Sequence, residues 1–336
     1  MQTQLTIEYG LETPIVSAGM AFVAGPELAA AVSNAGALGM LGAGILPPEA
    51  LRALIEETRK LTDRLFGVDL IPELTTSGHI DVCVESRVPV VAFFWSLPAP
   101  HDIRRLHAVG SRVWFQAGSL DEAVSAADAG VDLIVVQGAE GGGHNRSEAA
   151  TFTLLPAVID AVAPLPVLAA GGIVDGRGLA AALTFGAAGA WCGTRFLASQ
   201  EADASVAYQS MVLRAGPGST VRTDLFGPEW PGQPCRVFRN RVVRQYPDAA
   251  SGVGVTGPAI GSMPMMSGES YPMPKFSAAL PTRATTGDIE EMALTMGESA
   301  GRIRSVEPAA SIVARMTREA EDCLRRQASL MNETKI

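Results

Sequence analysis

Charge, cysteine and histidine are scarce in this chain. Only 18% of its 336 residues are charged, and 26 Lys+Arg against 35 Asp+Glu leave a formal net charge of -9. A surface of that sign repels nucleic acid and anionic membranes, which excludes both as general partners. The four cysteines, Cys83, Cys192, Cys235 and Cys323, form no CxxC pair. A chain of this size needs no covalent staples, so they read as reduced thiols of a cytoplasmic protein. No apolar run reaches spanning length, and the opening MQTQLTIEYG has neither the basic start nor the apolar centre of a secretion signal. Metal is not expected: beyond Glu140 and His144 the His, Cys, Asp and Glu residues show no close ligand spacing, and two ligands are too few to hold zinc.

Apolar residues (47%) and glycine (35 residues) are what the chain has instead. The first 200 residues alternate short apolar runs with segments of helical period, as parallel strands joined by crossover helices require. Eight runs qualify as strands: 14–20, 37–43, 66–71, 89–96, 111–117, 132–137, 166–171 and 189–197. Between them, 48–62 predicts a helix with an apolar stripe of Leu51, Leu54, Ile55 and Leu61. A doubly wound sheet shares this local pattern. The strand count, and the lack of an early GxGxxG opening a first helix, favour a (β/α)8 TIM barrel. From about 205 to 280 the periodicity fades into GPEWPGQP, PMMSG and YPMPKF, which predicts an irregular lid insertion. Helices are expected again over 286–302 and 307–331. The plan is therefore a barrel of 1–204 and 281–336 with C-terminal closing helices, and an excursion of 205–280.

In such a barrel the residues after each strand converge on one face, which turns the sequence into a site map. Gly171-Gly172 and Gly193-Thr194, after the seventh and eighth runs, let backbone N–H groups approach an anion and form a candidate phosphate site. Tight turns alone are the competing explanation. The sixth end carries Gln137, Glu140, three glycines and then His144. An imidazole titrates near neutrality, and the glycines let a ligand reach it, so His144 is the candidate proton-transfer group. His79, His101 and His107 fall where capping or solvation accounts for them. Cys192 lies inside a predicted strand, so no Cys-His nucleophile is indicated.

QGAEGGGH, AAGGIVDGRGLAAALTFGAAGAWCGTRFL and the opening PIVSAGM resemble the nitronate monooxygenase family, formerly 2-nitropropane dioxygenases, which is related to FMN-dependent enoyl-thioester reductases. The likeness covers about residues 10–202. It implies non-covalent FMN held by Ala18, Gly19, Met20, Asp69, Gln137, Gly142, Gly172, Trp191, Cys192, Gly193 and Thr194, with His144 as the catalytic histidine. In a nitronate enzyme that histidine removes a proton α to the nitro group; in an enoyl reductase, where NAD(P)H reduces the flavin, it assists α-protonation. The chain departs from the family pattern at several points. Asp69 stands where Asn is expected, placing a carboxylate that disfavours an anionic reduced flavin unless the acid is protonated or paired. Gly141 replaces Ala, Trp191-Cys192 replaces a Gln-Met type pair, and Asn145-Arg146 follows the histidine.

Arg236, Arg239, Arg241 and Arg244 in CRVFRNRVVRQY form a local basic cluster that suits the phosphates of a CoA thioester or NADPH, or else a solvated face. Met263, Met265, Met266 and Met273 suit an adaptable apolar lid, or packing filler. Three functions follow. The first is an FMN-dependent monooxygenase oxidising alkyl nitronates with O2. The second is an NAD(P)H-dependent FMN enzyme acting on an enoyl- or hydroxyacyl-CoA of lipid or steroid catabolism, which the arginines and the departures favour. The third is a barrel that binds flavin without catalysis, against which His144 argues. In each the partner is a small molecule, and homo-oligomer formation is left open.

Overall fold

Each predicted apolar run contains a strand in the computed structural model, which describes residues 1–247, 257–265 and 268–333. In chain order the first half comprises α1 (Gln4–Tyr9), β1 (Ile15–Ser17), α2 (Pro26–Asn34), β2 (Gly39–Gly42), α3 (Pro48–Leu61), β3 (Phe66–Leu70), α4 (Ser77–Glu85), β4 (Val90–Phe94), α5 (Pro100–Ala108), β5 (Arg112–Ala117), α6 (Leu120–Asp128) and β6 (Leu133–Gln137). A two-residue strand β7 (Gly143–His144) precedes α7 (Thr151–Val162), β8 (Val167–Ala170), α8 (Gly176–Thr184), β9 (Gly189–Cys192) and the short α9 (Thr194–Leu197). Strands β1 to β6, β8 and β9 pair in parallel in the order β1-β9-β8-β6-β5-β4-β3-β2. Closure comes from the bridge Val16–Leu38, where Leu38 N–H donates to Ile15 at 3.1 Å and Ser17 N–H to Leu38 at 3.0 Å. The fold is a (β/α)8 barrel.

Two apolar layers explain why these strands read as continuous runs. Alternate residues such as Val90, Ala92, Trp114, Val135 and Trp191 fill the barrel interior, while Val91, Phe93, Phe115, Val136 and Cys192 pack outward under the helices. Helix α1 sits against the interior core through Leu5 and Tyr9. The Tyr9 hydroxyl accepts the Trp114 indole N–H at 2.8 Å, which satisfies a donor that has no water to turn to. Helix α3 buries Leu51 and Ile55 as its period predicts, but Thr58 completes the inner face and Leu61 is left exposed.

Three expectations need correction. The run 189–197 stays a strand only to Cys192, after which Gly193 caps α9. The excursion is more ordered than its composition suggests. It carries α10 (Val206–Arg214), β10 (Thr220–Thr223), β11 (Cys235–Phe238), α11 (Arg241–Gln245), β12 (Ala259–Pro264) and β13 (Ser270–Pro274). These build two small sheets, β10-β11-β7 and, with β14 (Thr286–Gly287), β13-β12-β14. Pro272, Pro274 and Gly261 interrupt the alternation that marks a strand in sequence, yet Met263 and Met273 still point inward and pack with Met292. Met266 lies outside the described residues. Finally, 286–302 forms no α-helix. Its acidic residues, which imitate a helix start, serve Arg241 and Lys275 instead, through Asp288 and Glu291. One helix, α12 (Ala309–Glu333), closes the chain with Ile312, Val313, Met316 and Ala320 buried.

Candidate active site

Residues from the C-terminal ends of all eight barrel strands line one cavity of about 560 Å³. Ala18, Gly19 and Met20 follow β1, Asp69 ends β3, Gln137 ends β6, and Gly142 lies on the loop beyond it. Gly172 follows β8, while Trp191, Gly193 and Thr194 belong to the end of β9, and all of these line the cavity. Cys192 does not. Strand alternation turns it outward into the helix layer, where burial pushes its thiol up to about 12, so it offers neither a contact nor a nucleophile.

Close approach dictates the glycines. A Cβ on Gly19 would lie 2.3 Å from the Asp69 Cβ, so only glycine lets the ends of β1 and β3 meet. Gly171 and Gly172 adopt φ of 96° and 76°, a backbone that other residues rarely take, and thereby open a turn beside Gly193 and Thr194. The Glu140 side chain packs beside Gly172, where an added Cβ would lie 3.4 Å from its Oε1, and the Thr151 N–H at the start of α7 donates to both of its carboxylate oxygens at 3.2 Å.

His144 is placed by a rigid loop. Asn145 is fully buried; its amide donates to the carbonyls of Gly138 and Gly141, both at 2.9 Å, and its oxygen accepts Ser147 N–H at 2.9 Å. β7 pairs with β11, setting Cys235 opposite His144 and Arg236 opposite Gly143. The Arg236 guanidinium donates to Ala139 at 2.9 Å and pairs with Glu298 at 3.0 Å. The imidazole packs against two indoles that also touch each other, with ring centroids 4.9 Å from Trp230 and 6.1 Å from Trp95. Its Nε2 is buried and has no hydrogen-bond partner among the described residues. Burial pulls its titration down to about 4, against the opposing charge of Glu229, so the ring is neutral at physiological pH.

Burial acts on Asp69 in the opposite sense: it raises the carboxyl well above its ordinary value, and among the described residues no hydrogen bond or ion pair offsets it. The basic cluster has a different fate. Arg236 braces the histidine loop, Arg241 pairs with Asp288 and Glu291, Arg239 and Arg244 are exposed, and none of the four lines the cavity. The remaining histidines have local work: His79 caps α4 by accepting Thr76 N–H at 3.0 Å, and His101 and His107 face Asp102 and Asp132.

Gln116 lines the cavity at the end of β5, where the convergence of strand ends places a contact. Sequence reasoning missed three further residues. Trp95 directly follows β4 and holds a left-handed backbone (φ 83°), a strained state for so large a side chain and one that clusters at functional sites. Glu229 and Trp230 come from GPEWPGQP, which carries no periodic signal.

Family comparison agrees with this geometry. The description "Nitronate monooxygenase" matches residues 2–77 and 72–319. The chain belongs to the nitronate monooxygenase family. It is accordingly an oxidoreductase. A relative from Mycobacterium tuberculosis, (3aS,4S,5R,7aS)-5-hydroxy-7a-methyl-1-oxo-octahydro-1H-indene-4-carboxyl-CoA dehydrogenase, is 40% identical over 73% of this chain and 68% of its own length. A probable nitronate monooxygenase of Staphylococcus aureus is 33% identical over 73% of this chain and 80% of its own. The structure of FabK from Thermotoga maritima superposes with a TM-score of 0.80 at 32% identity, covering 98% of this chain and 99% of that one. The family thus spans more than one reaction, and the cavity must choose among them.

Proposed function

We propose that this family member is an FMN-dependent dehydrogenase of a bulky hydroxyacyl-CoA, with His144 as its base. The observation that carries the reading is a neutral imidazole with an unpartnered Nε2, set beside a cavity whose outer wall is apolar: Trp230, Met263, Met265 and Ile45. FMN fits the inner part of that cavity. The turns at Gly171-Gly172 and Gly193-Thr194 would hold its phosphate, and Ala18, Gly19, Met20, Asp69 and Gln137 would border its ring. When bound, FMN supplies the hydride acceptor and the exchange of electrons with NAD(P)H or O2.

The residues do the rest. His144 takes the proton of the substrate hydroxyl as the adjacent C–H bond breaks, which a neutral ring can do and an imidazolium cannot. Burial favours the protonated form of Asp69, which would add no negative charge beside the ring and could donate a hydrogen bond, as the expected Asn would. The indoles and methionines exclude water and give a fused alicyclic acyl group apolar walls. The 40% identity to a dehydrogenase of such a CoA ester supports this substrate class. Arg239 and Arg244, exposed and without ion pairs among the described residues, are the members of the basic cluster open to CoA phosphates.

Oxidation of alkyl nitronates is the second reading, supported by the 33% identical relative and by the same base, which can remove a proton α to a nitro group. Anaerobic mixing separates the two. The hydroxy-octahydroindene carboxyl-CoA should bleach the bound flavin faster than propionate-3-nitronate does. Rapid bleaching by the nitronate, with none by the thioester or by NAD(P)H, would overturn the first reading.

A further inference from the structure

We infer that Trp230 is a positioning residue that works through His144: carried by the segment between β10 and β11, its ring packs against the half-buried imidazole and shields the buried Nε2 from water. His144, Trp95 and Trp230 form a closed triangle of rings, the two indoles meeting edge-on at 5.0 Å. The two walls differ in their support. Trp95 belongs to the barrel and is only 5% exposed. Trp230 is half-buried on a loop whose position depends on a few hydrogen bonds. Its own N–H donates to Gly227 at 2.9 Å. Its neighbour Glu229 ties the loop to the β13 side, accepting the Tyr271 hydroxyl at 3.3 Å, the Ser277 hydroxyl, and Ala278 N–H at 3.2 Å.

Charge does not explain the state of His144. Glu229, the acidic group on the same loop, favours the imidazolium and would raise the titration. Arg146 lies 4.9 Å over the far ring, Trp95, and is neutralised by Glu122 at 2.8 Å. On β11, Arg236 faces Glu298 and the loop carbonyl of Ala139, and Cys235, opposite His144 in register, is an uncharged thiol that burial pushes up to about 12. Tyr271 is engaged with Glu229, and Asp224, at the start of the segment that carries Trp230, acts on Cys235 and is not among the causes of the His144 shift. What remains is the exclusion of water, which the indoles provide. A ring on a hydrogen-bonded loop is a removable cover. With it in place His144 is a neutral base; with it displaced, water reaches Nε2 and the imidazole reverts to ordinary behaviour. Proton transfer is thereby confined to the closed arrangement.

The inference rests on His144 being the base, yet its test needs no substrate. The imidazole resonances of His144 are followed by NMR against pH in the full-length protein, in the wild type, Trp230→Ala and Trp230→Phe. The wild type should titrate near 4. Trp230→Ala should move toward the ordinary 6.5, by at least about one pH unit, while Trp230→Phe, which keeps a ring over the imidazole, should stay near the wild type. Trp230→Ala titrating where the wild type does would overturn the inference, and so would an equal rise in both variants. Once a substrate is in hand, the acidic limb of kcat/KM should shift in parallel with the NMR titration. A failure of the substrate assignment would leave the NMR result untouched.

Discussion

Burial acts on Asp69 and His144 in opposite directions and favours the uncharged form of both, raising the titration of the acid and lowering that of the base to about 4. Each therefore has its own test. Asp69 titrates higher folded than unfolded, so stability is lost as pH rises above the unfolded value of 3.8, where the unfolded carboxyl ionises and the folded one does not. Asp69→Asn should raise the thermal midpoint at pH 7 and leave it unchanged below pH 3.8. For His144 the decisive substitution is alanine. It should spare flavin binding, because the turns proposed to hold the phosphate lie elsewhere, but slow turnover on the order of 10²-fold in steady-state assays. Unchanged turnover would remove His144 from the chemistry.

At the scale of elements, the loop from β6 to α7 is held by its own buried hydrogen bonds. Asn145 makes three buried hydrogen bonds within it, and an alanine would leave the carbonyls of Gly138 and Gly141 without those donors. Urea unfolding of Asn145→Ala should show a loss of about 3 kcal/mol. The barrel was legible in the sequence because strands buried on both faces cannot hide their apolar runs, and the site was legible because strand ends such as QGAEGGGH fall on one rim. The excursion was not. Pro272 and Pro274 interrupt the alternation of β13, and β11 takes its register from β7, a contact between residues about 90 positions apart. Trp230 and Glu229 were invisible for that reason: their partners, His144 and the Ser277 region, are fixed only by tertiary structure. The arginines misled in the other direction. Clustering in sequence placed Arg236 and Arg241 together, but strand and helix geometry sent one to a loop carbonyl and the other to Asp288 and Glu291.

The whole molecule combines an acidic exterior with a dry interior, and its response to acid reflects the latter. An unfolded His144 takes up a proton below about 6.5, whereas the folded one waits until about 4. Stability should therefore fall as pH drops through that window and level off below it, by on the order of 3 kcal/mol from this residue. Comparing denaturant curves of the wild type and His144→Ala at pH 7 and pH 4 isolates the contribution; an equal acid loss in both would assign it to other groups. Among the described residues no helix is long and apolar enough to cross a membrane. Family membership makes the protein an oxidoreductase, and the proposed chemistry at the barrel mouth depends first on the cofactor. The visible spectrum of the purified protein, taken before and after denaturation, tests it directly. The account predicts the absorption of oxidised flavin, with FMN released in equimolar amount. A colourless protein that gains no flavin spectrum on incubation with FMN would contradict it.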